Sequence, residues 1–109
     1  MQADKVKTNG GTMTTYILLA HWTDRGMQAV TDGPKRVDQA KKMLEDMGGR
    51  MQAIYLTMGL YDLVGVFEAP DDAIAARFML MLGQLGNVRT TTMKAFPEEA
   101  YRHIVDSLK

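Results

Sequence analysis

MQAIYLTMGLYDLVGVFE, residues 51–68, decides the fold. From Met51 to Thr57 the side chains alternate, with Met51, Ala53 and Tyr55 to one side and Gln52, Ile54 and Leu56 to the other. That period of two predicts a strand. Gly59-Leu60 then turns the chain, and Tyr61–Glu68 (YDLVGVFE) reads as a second strand. So short a connection makes the two strands antiparallel neighbours.

Working upstream, Thr15–Trp22 (TYILLAHW) is aromatic and β-branched and nearly apolar on both faces, which predicts a central strand covered on both sides. Thr23-Asp24-Arg25-Gly26 breaks it, and Asp32-Gly33-Pro34 starts a helix, proline being tolerated in the first turn. Val37, Ala40, Leu44 and Met47 form its apolar stripe, and Gly48-Gly49 stops it. Downstream, Pro70-Asp71-Asp72 opens a helix over Ala73–Leu85 (AIAARFMLMLGQL), and its acidic first turn suits the positive end of the dipole. Gly86-Asn87 ends that helix, and Val88–Phe96 (VRTTTMKAF) is a threonine-rich strand. Pro97-Glu98-Glu99 starts a last helix with Tyr101, Ile104, Val105 and Leu108 on one face. The order is βαββαβ plus a C-terminal helix. Right-handed crossovers turn that order into an α+β, ferredoxin-like fold with one four-stranded antiparallel sheet. Residues 1–12 (MQADKVKTNGGT) are polar, end in Gly10-Gly11 and read as a flexible extension to a domain spanning 13–109.

The 109 residues, 46% hydrophobic and 24% charged, suit one globular domain and exclude the disordered and fibrous classes. Thirteen basic residues balance thirteen acidic ones, so the chain lacks the basic excess with which nucleic-acid modules displace counterions. No apolar run approaches the roughly 18–20 residues of a membrane span, and residues 1–12 hold no apolar core of a secretory signal. Without cysteine there is no disulfide, thiolate nucleophile or Cys-ligated metal, which agrees with a cytoplasmic setting. The apolar side chains of 73–85 circle the helix axis, and a lone sheet of this kind leaves one face uncovered. A homodimer, or a higher oligomer built from dimers, is the expected remedy.

Gly59-Leu60-Tyr61-Asp62 matches the Gly-x-Tyr-Asp motif of the GYD family, which the chain resembles. The resemblance extends over Trp22-Thr23-Asp24-Arg25-Gly26, Pro34-Lys35-Arg36, Gly48-Gly49-Arg50, Ala69-Pro70-Asp71-Asp72, Gly86-Asn87-Val88-Arg89-Thr90 and Lys94-Ala95-Phe96. It covers nearly all of residues 15–97. One departure is Leu60, where family members often carry a polar residue such as glutamine. The resemblance implies a subunit of the dimeric α+β barrel superfamily, whose other members include cofactor-free monooxygenases, muconolactone isomerases and haem-dependent chlorite dismutases. A fold with that range of chemistry implies a small-molecule pocket without naming its ligand.

Four groups of residues are candidates for chemistry. Tyr61-Asp62, beside a glycine turn, can position a ligand or accept a proton; equally, Asp62 can accept turn amide hydrogens and Tyr61 can pack at the sheet edge. His21, next to Trp22 in an apolar run, can shuttle protons or be a satisfied core histidine. Arg89 can clamp a carboxylate or phosphate with Thr90 or Thr92 supplying a hydroxyl, or can pair structurally with Asp62 or Glu68. His21 and His103 lack metal-ligand spacing, and the ten methionines are expected to pack, so no metal and no cofactor is expected. No phosphate loop or serine triad is present either, since the sole serine is Ser107, near the end of the chain.

The expected function is binding of a small anionic organic metabolite in the cleft between sheet and helices. His21, Tyr61 and Asp62 would be the acid/base groups of a cofactor-free enzyme of the oxygenase or isomerase type, and Arg89, Thr90, Thr92 and Trp22 the ligand contacts. The alternative is a non-catalytic oligomeric binding or structural protein using the same residues as interfacial hydrogen bonds.

Overall fold

A computed structural model describes residues 5–8 and 11–109. Its elements are β1 (Lys5–Thr8), β2 (Gly11–Trp22), α1 (Asp24–Gln28), a 3-10 turn (Val30–Asp32), α2 (Gly33–Asp46), β3 (Arg50–Leu56), β4 (Leu63–Ala69), α3 (Asp72–Leu85), β5 (Val88–Ala95) and α4 (Glu98–Asp106). Strand β2 pairs antiparallel with β4 along one edge and with β5 along the other, and β3 pairs with β4. The order β3-β4-β2-β5 is the ferredoxin-like arrangement expected from βαββαβ. The expected extension 1–12 lies partly outside the described residues, and within it Lys5–Thr8 form β1, antiparallel to Gly11–Thr14.

Pleating sorts the side chains of β2. Tyr16, Leu18 and Ala20 are buried on the face toward α2 and α3, where Leu44, Phe67, Phe78 and Leu82 complete the core. Phe67 stacks on Tyr16 at 5.2 Å and meets Phe78 edge-on at 5.3 Å. The other face carries Ile17, Leu19, Val64, Val66 and Met93, all only partly covered or exposed.

The helix ends follow local chemistry. Asp71 accepts the Ile74 N–H at 2.9 Å and caps α3, and Gly86, at φ +80°, closes its other end. In the first turn Asp72 accepts the Tyr16 hydroxyl at 2.6 Å and takes Lys94 at 3.3 Å, tying α3 to β2 and β5. Burial first, and then this carboxylate, hold the Tyr16 phenol well above its ordinary pKa. At the end of α2 the chain turns at Gly48 (φ +89°), and Gly49 sits where a Cβ would lie 2.6 Å from both the Glu68 carbonyl oxygen and Leu44 Cδ1.

Three local readings differ from the sequence expectation. The alternation in β3 is interrupted by a bulge between Met51 and Ala53, so Met51 joins Ile54 and Leu56 on the helix face. Strand β4 begins at Leu63, and Tyr61-Asp62 belong to the preceding loop, because the Asp62 N–H and carboxylate are both engaged with β2. Residues after Trp22, read as a break, hold α1, whose five residues are too few to show a periodic stripe.

Candidate functional site

Between α2, α3 and the helix face of the sheet lies a cavity of about 450 Å³. The sheet supplies Leu18, Ala20 and Trp22 from β2, and α2 supplies Val37 and Ala40. Phe78, Leu82 and Leu85 of α3 close the far wall. The polar groups that reach it are Arg36, Gln39, Asn87 and Thr90. Pockets of this size and apolar character are the usual form of small-ligand sites.

One end of the cavity is built by a clasp between two family-motif segments. The Thr23 N–H donates to the Asn87 carbonyl at 3.0 Å, and the Thr23 hydroxyl donates to the Gly86 carbonyl at 2.6 Å. The same hydroxyl oxygen accepts the Gly26 N–H at 3.1 Å, capping α1. Gly26 is required there: a Cβ would stand 2.1 Å from the Asn87 carbonyl oxygen.

The candidate residues named above do not converge. Trp22 and Thr90 line the cavity. Thr92, opposite Leu18 in register, is on the same face, and its Oγ1 is buried with no hydrogen-bond partner among the described residues. His21 leaves β2 on the opposite face and packs its ring on Tyr61 at 4.7 Å. Asp62 sits beside them with its carboxylate accepting the Trp22 N–H at 3.0 Å, its N–H donating to the Ala20 carbonyl at 2.9 Å and its carbonyl accepting the Thr57 N–H at 2.8 Å.

Two expectations about Arg89 are corrected. It was expected to act with Thr90 or Thr92, but adjacent residues of a strand point to opposite faces, and Arg89 pairs in register with His21. The alternative reading, a structural pair with Asp62 or Glu68, is not formed among the described residues either. Arg89 is exposed and reaches the Gly83 carbonyl at 3.5 Å, whereas the buried Glu68 faces Arg50 at 3.7 Å.

The cation that does line the cavity is Arg36, which sequence reasoning assigned no role. Its Nη2 donates to the Ala29 carbonyl at 2.7 Å, which turns the guanidinium toward the loop before α2. The available signal was its place in Pro34-Lys35-Arg36, one position before the first residue of the apolar stripe on α2. Among the described residues, no group of three or more His, Cys, Asp or Glu side chains is placed to hold a metal, and no helix is long and apolar enough to cross a membrane.

Other exposed apolar groups cluster at the β3–β4 hairpin. Met58 is 99% exposed and Leu60 79%, and Leu56, at the end of β3, borders the cavity. On α4, Tyr101 is exposed, as is Leu108 in the turn that follows the helix, and Ala100 is the helix's buried residue.

Comparison with known proteins adds two findings. The model of the GYD domain matches residues 16–105. A protein of Thermus thermophilus named glutamine synthetase and cystathionine beta-lyase binding protein is 42% identical over 86 residues, which is 78% of this chain and 90% of that protein. With the family motif at Gly59–Asp62 and a match over residues 16–105, which takes in most of β2, all of β3, β4 and β5 and the helices between them, the chain belongs to the GYD domain family.

Proposed function

We propose that the chain is a cytoplasmic, oligomeric binding protein that docks onto metabolic enzymes of the kind its Thermus thermophilus relative is named for. That relative carries the reading, since it is similar along nearly its whole length. The geometry of the β3–β4 hairpin supports it. A methionine and a leucine held out at 99% and 79% exposure supply adaptable apolar anchors, which a monomer has no use for and an interface does. A second copy covers the sheet face that bears Ile17, Leu19, Val64 and Val66, and the His21–Tyr61 pair lies beside that interface. Surface plasmon resonance against glutamine synthetase and cystathionine β-lyase from the same source tests the docking. Saturable micromolar binding that falls about tenfold or more in Met58→Asp and Leu60→Asp is expected; no binding by the unmutated chain to either enzyme overturns it. Light scattering tests the assembly, with at least twice the 12.2 kDa chain mass expected and a shift toward the single-chain mass in Leu19→Lys.

A second reading, favoured by the 450 Å³ cavity, is that the sheet–helix cleft binds a small organic anion. Trp22 and Thr90 are then wall residues. Thr92 completes the same face, and Arg89, from the opposite face, is not the clamp.

A further inference from the structure

We infer that the cavity between sheet and helices is a site for an amphipathic monocarboxylate, with its apolar body along Leu18, Val37, Phe78 and Leu82 and its carboxylate at Arg36. The inference rests on the second reading above, that the cleft takes a small ligand, and is independent of enzyme docking.

Three observations carry it. The walls are almost wholly apolar, so water gains few hydrogen bonds inside and an apolar ligand body is favoured there. Among the described residues, a single charged side chain, Arg36, lines the cavity. Arg36 is half-buried, its one hydrogen bond goes to the Ala29 carbonyl, and no carboxylate lies within ion-pair distance of it among the described residues. A half-buried guanidinium with four N–H donors left over is complementary to a carboxylate. Its position strengthens the match. Arg36 stands in the first turn of α2, Gly33 and Pro34 of that turn also line the cavity, and the Asp32 side chain makes no capping hydrogen bond. The first turn of α2 therefore brings the guanidinium to one end of an apolar chamber, where it is the charged donor. A dicarboxylate or a nucleotide would bring further negative charge into a chamber where Arg36 is the one cation lining the walls among the described residues.

Trp22 is the single tryptophan of the chain and lines the cavity, so its fluorescence reports occupancy directly. Decanoate and decanol, matched in their apolar body, are titrated into the full chain, with stoichiometry taken from calorimetry. Decanoate is expected to saturate near one per chain and to bind more tightly than decanol. Arg36→Gln should weaken decanoate by about tenfold or more and leave decanol nearly unchanged. Val37→Phe and Ala40→Leu, two independent fillings of the chamber, should weaken both ligands, with circular dichroism confirming that at least one variant keeps its fold. If neither ligand changes Trp22 fluorescence, the cleft is not a ligand site and the second reading falls with the inference. If both bind equally and Arg36→Gln changes neither, the cleft reading stands and the carboxylate assignment is overturned.

Discussion

Replacing Asp62 separates the architectural part of the Gly-x-Tyr-Asp motif from any chemical one. Its backbone N–H and C=O bond to Ala20 and Thr57, and these survive any side-chain change. Among the described residues the side chain makes one hydrogen bond, Oδ2 accepting the Trp22 N–H at 3.0 Å. Pairing between β2 and β4 ends at Ala20↔Leu63, so the carboxylate takes the place of the strand carbonyl that would have met this amide. A hydrogen bond to a charged acceptor contributes about 1.5–3 kcal/mol, and because both residues are half-buried the lower end applies, near 1.5–2 kcal/mol for Asp62→Ala. Asp62→Asn keeps a carbonyl acceptor and loses only the charge, so about 0.5–1 kcal/mol is expected. Against roughly 5–15 kcal/mol of total stability, urea unfolding resolves both steps. With a slope of about 1–3 kcal/mol/M, Asp62→Ala should lower the midpoint by about 0.5–2 M at constant slope. The reasoning is refuted if Asp62→Ala leaves the midpoint where it was, or if asparagine is as damaging as alanine.

Three further substitutions probe the frame of the domain. Gly26→Ala places a methyl 2.1 Å from the Asn87 carbonyl oxygen, a backbone atom that cannot swing aside. A loss of about 2–4 kcal/mol in urea unfolding is expected, while Gly33→Ala, with nothing within 4 Å, should gain up to about 1 kcal/mol in the same assay. Tyr16→Phe removes the hydroxyl bound to Asp72 and should cost about 1–2 kcal/mol near neutral pH. Because the folded phenol is held above its ordinary value of 10.0, its contribution is complete below that pH and is lost as pH rises beyond it, when the unfolded chain ionises first. Alkaline unfolding curves of the unmutated chain and Tyr16→Phe should therefore converge.

The strands and larger helices were legible because each carries its own period and its own stops. Leu18 and Phe67 announce a covered strand, and Asp71 and Gly86 mark the two ends of α3. The bulge at Gln52 was not legible, because a period-two sequence continues unbroken through it and only pairing with Phe67 and Val66 shows the slip. The separation of Arg89 from Thr90 followed from the pleat once β5 was recognised, but a run of three threonines hides which of them share a face. Arg36 escaped notice for another reason: a charged residue beside an apolar helix stripe has the pattern of an ordinary solvent-facing cation. It becomes distinctive only when α2 and α3 are placed over the sheet with a chamber between them.

The order of strands in the sheet also governs how the chain is made. Strand β2 is synthesised early, yet most of its partners come late: β4 ends at Ala69 and β5 at Ala95. At about 5–20 residues per second, the roughly 70 residues separating Trp22 from Ala95 take about 4–15 s to emerge. During that interval Tyr16–Ala20 is an apolar strand whose β5 edge has nothing to pair with, the condition under which nascent chains associate with one another or recruit chaperones. The β3–β4 hairpin closes over a short loop and forms on its own local contacts, so it can shield one edge of β2 well before β5 arrives. Changes that slow the docking of that hairpin, such as lengthening the Thr57–Asp62 loop, should therefore appear as insoluble product before they appear as lost stability.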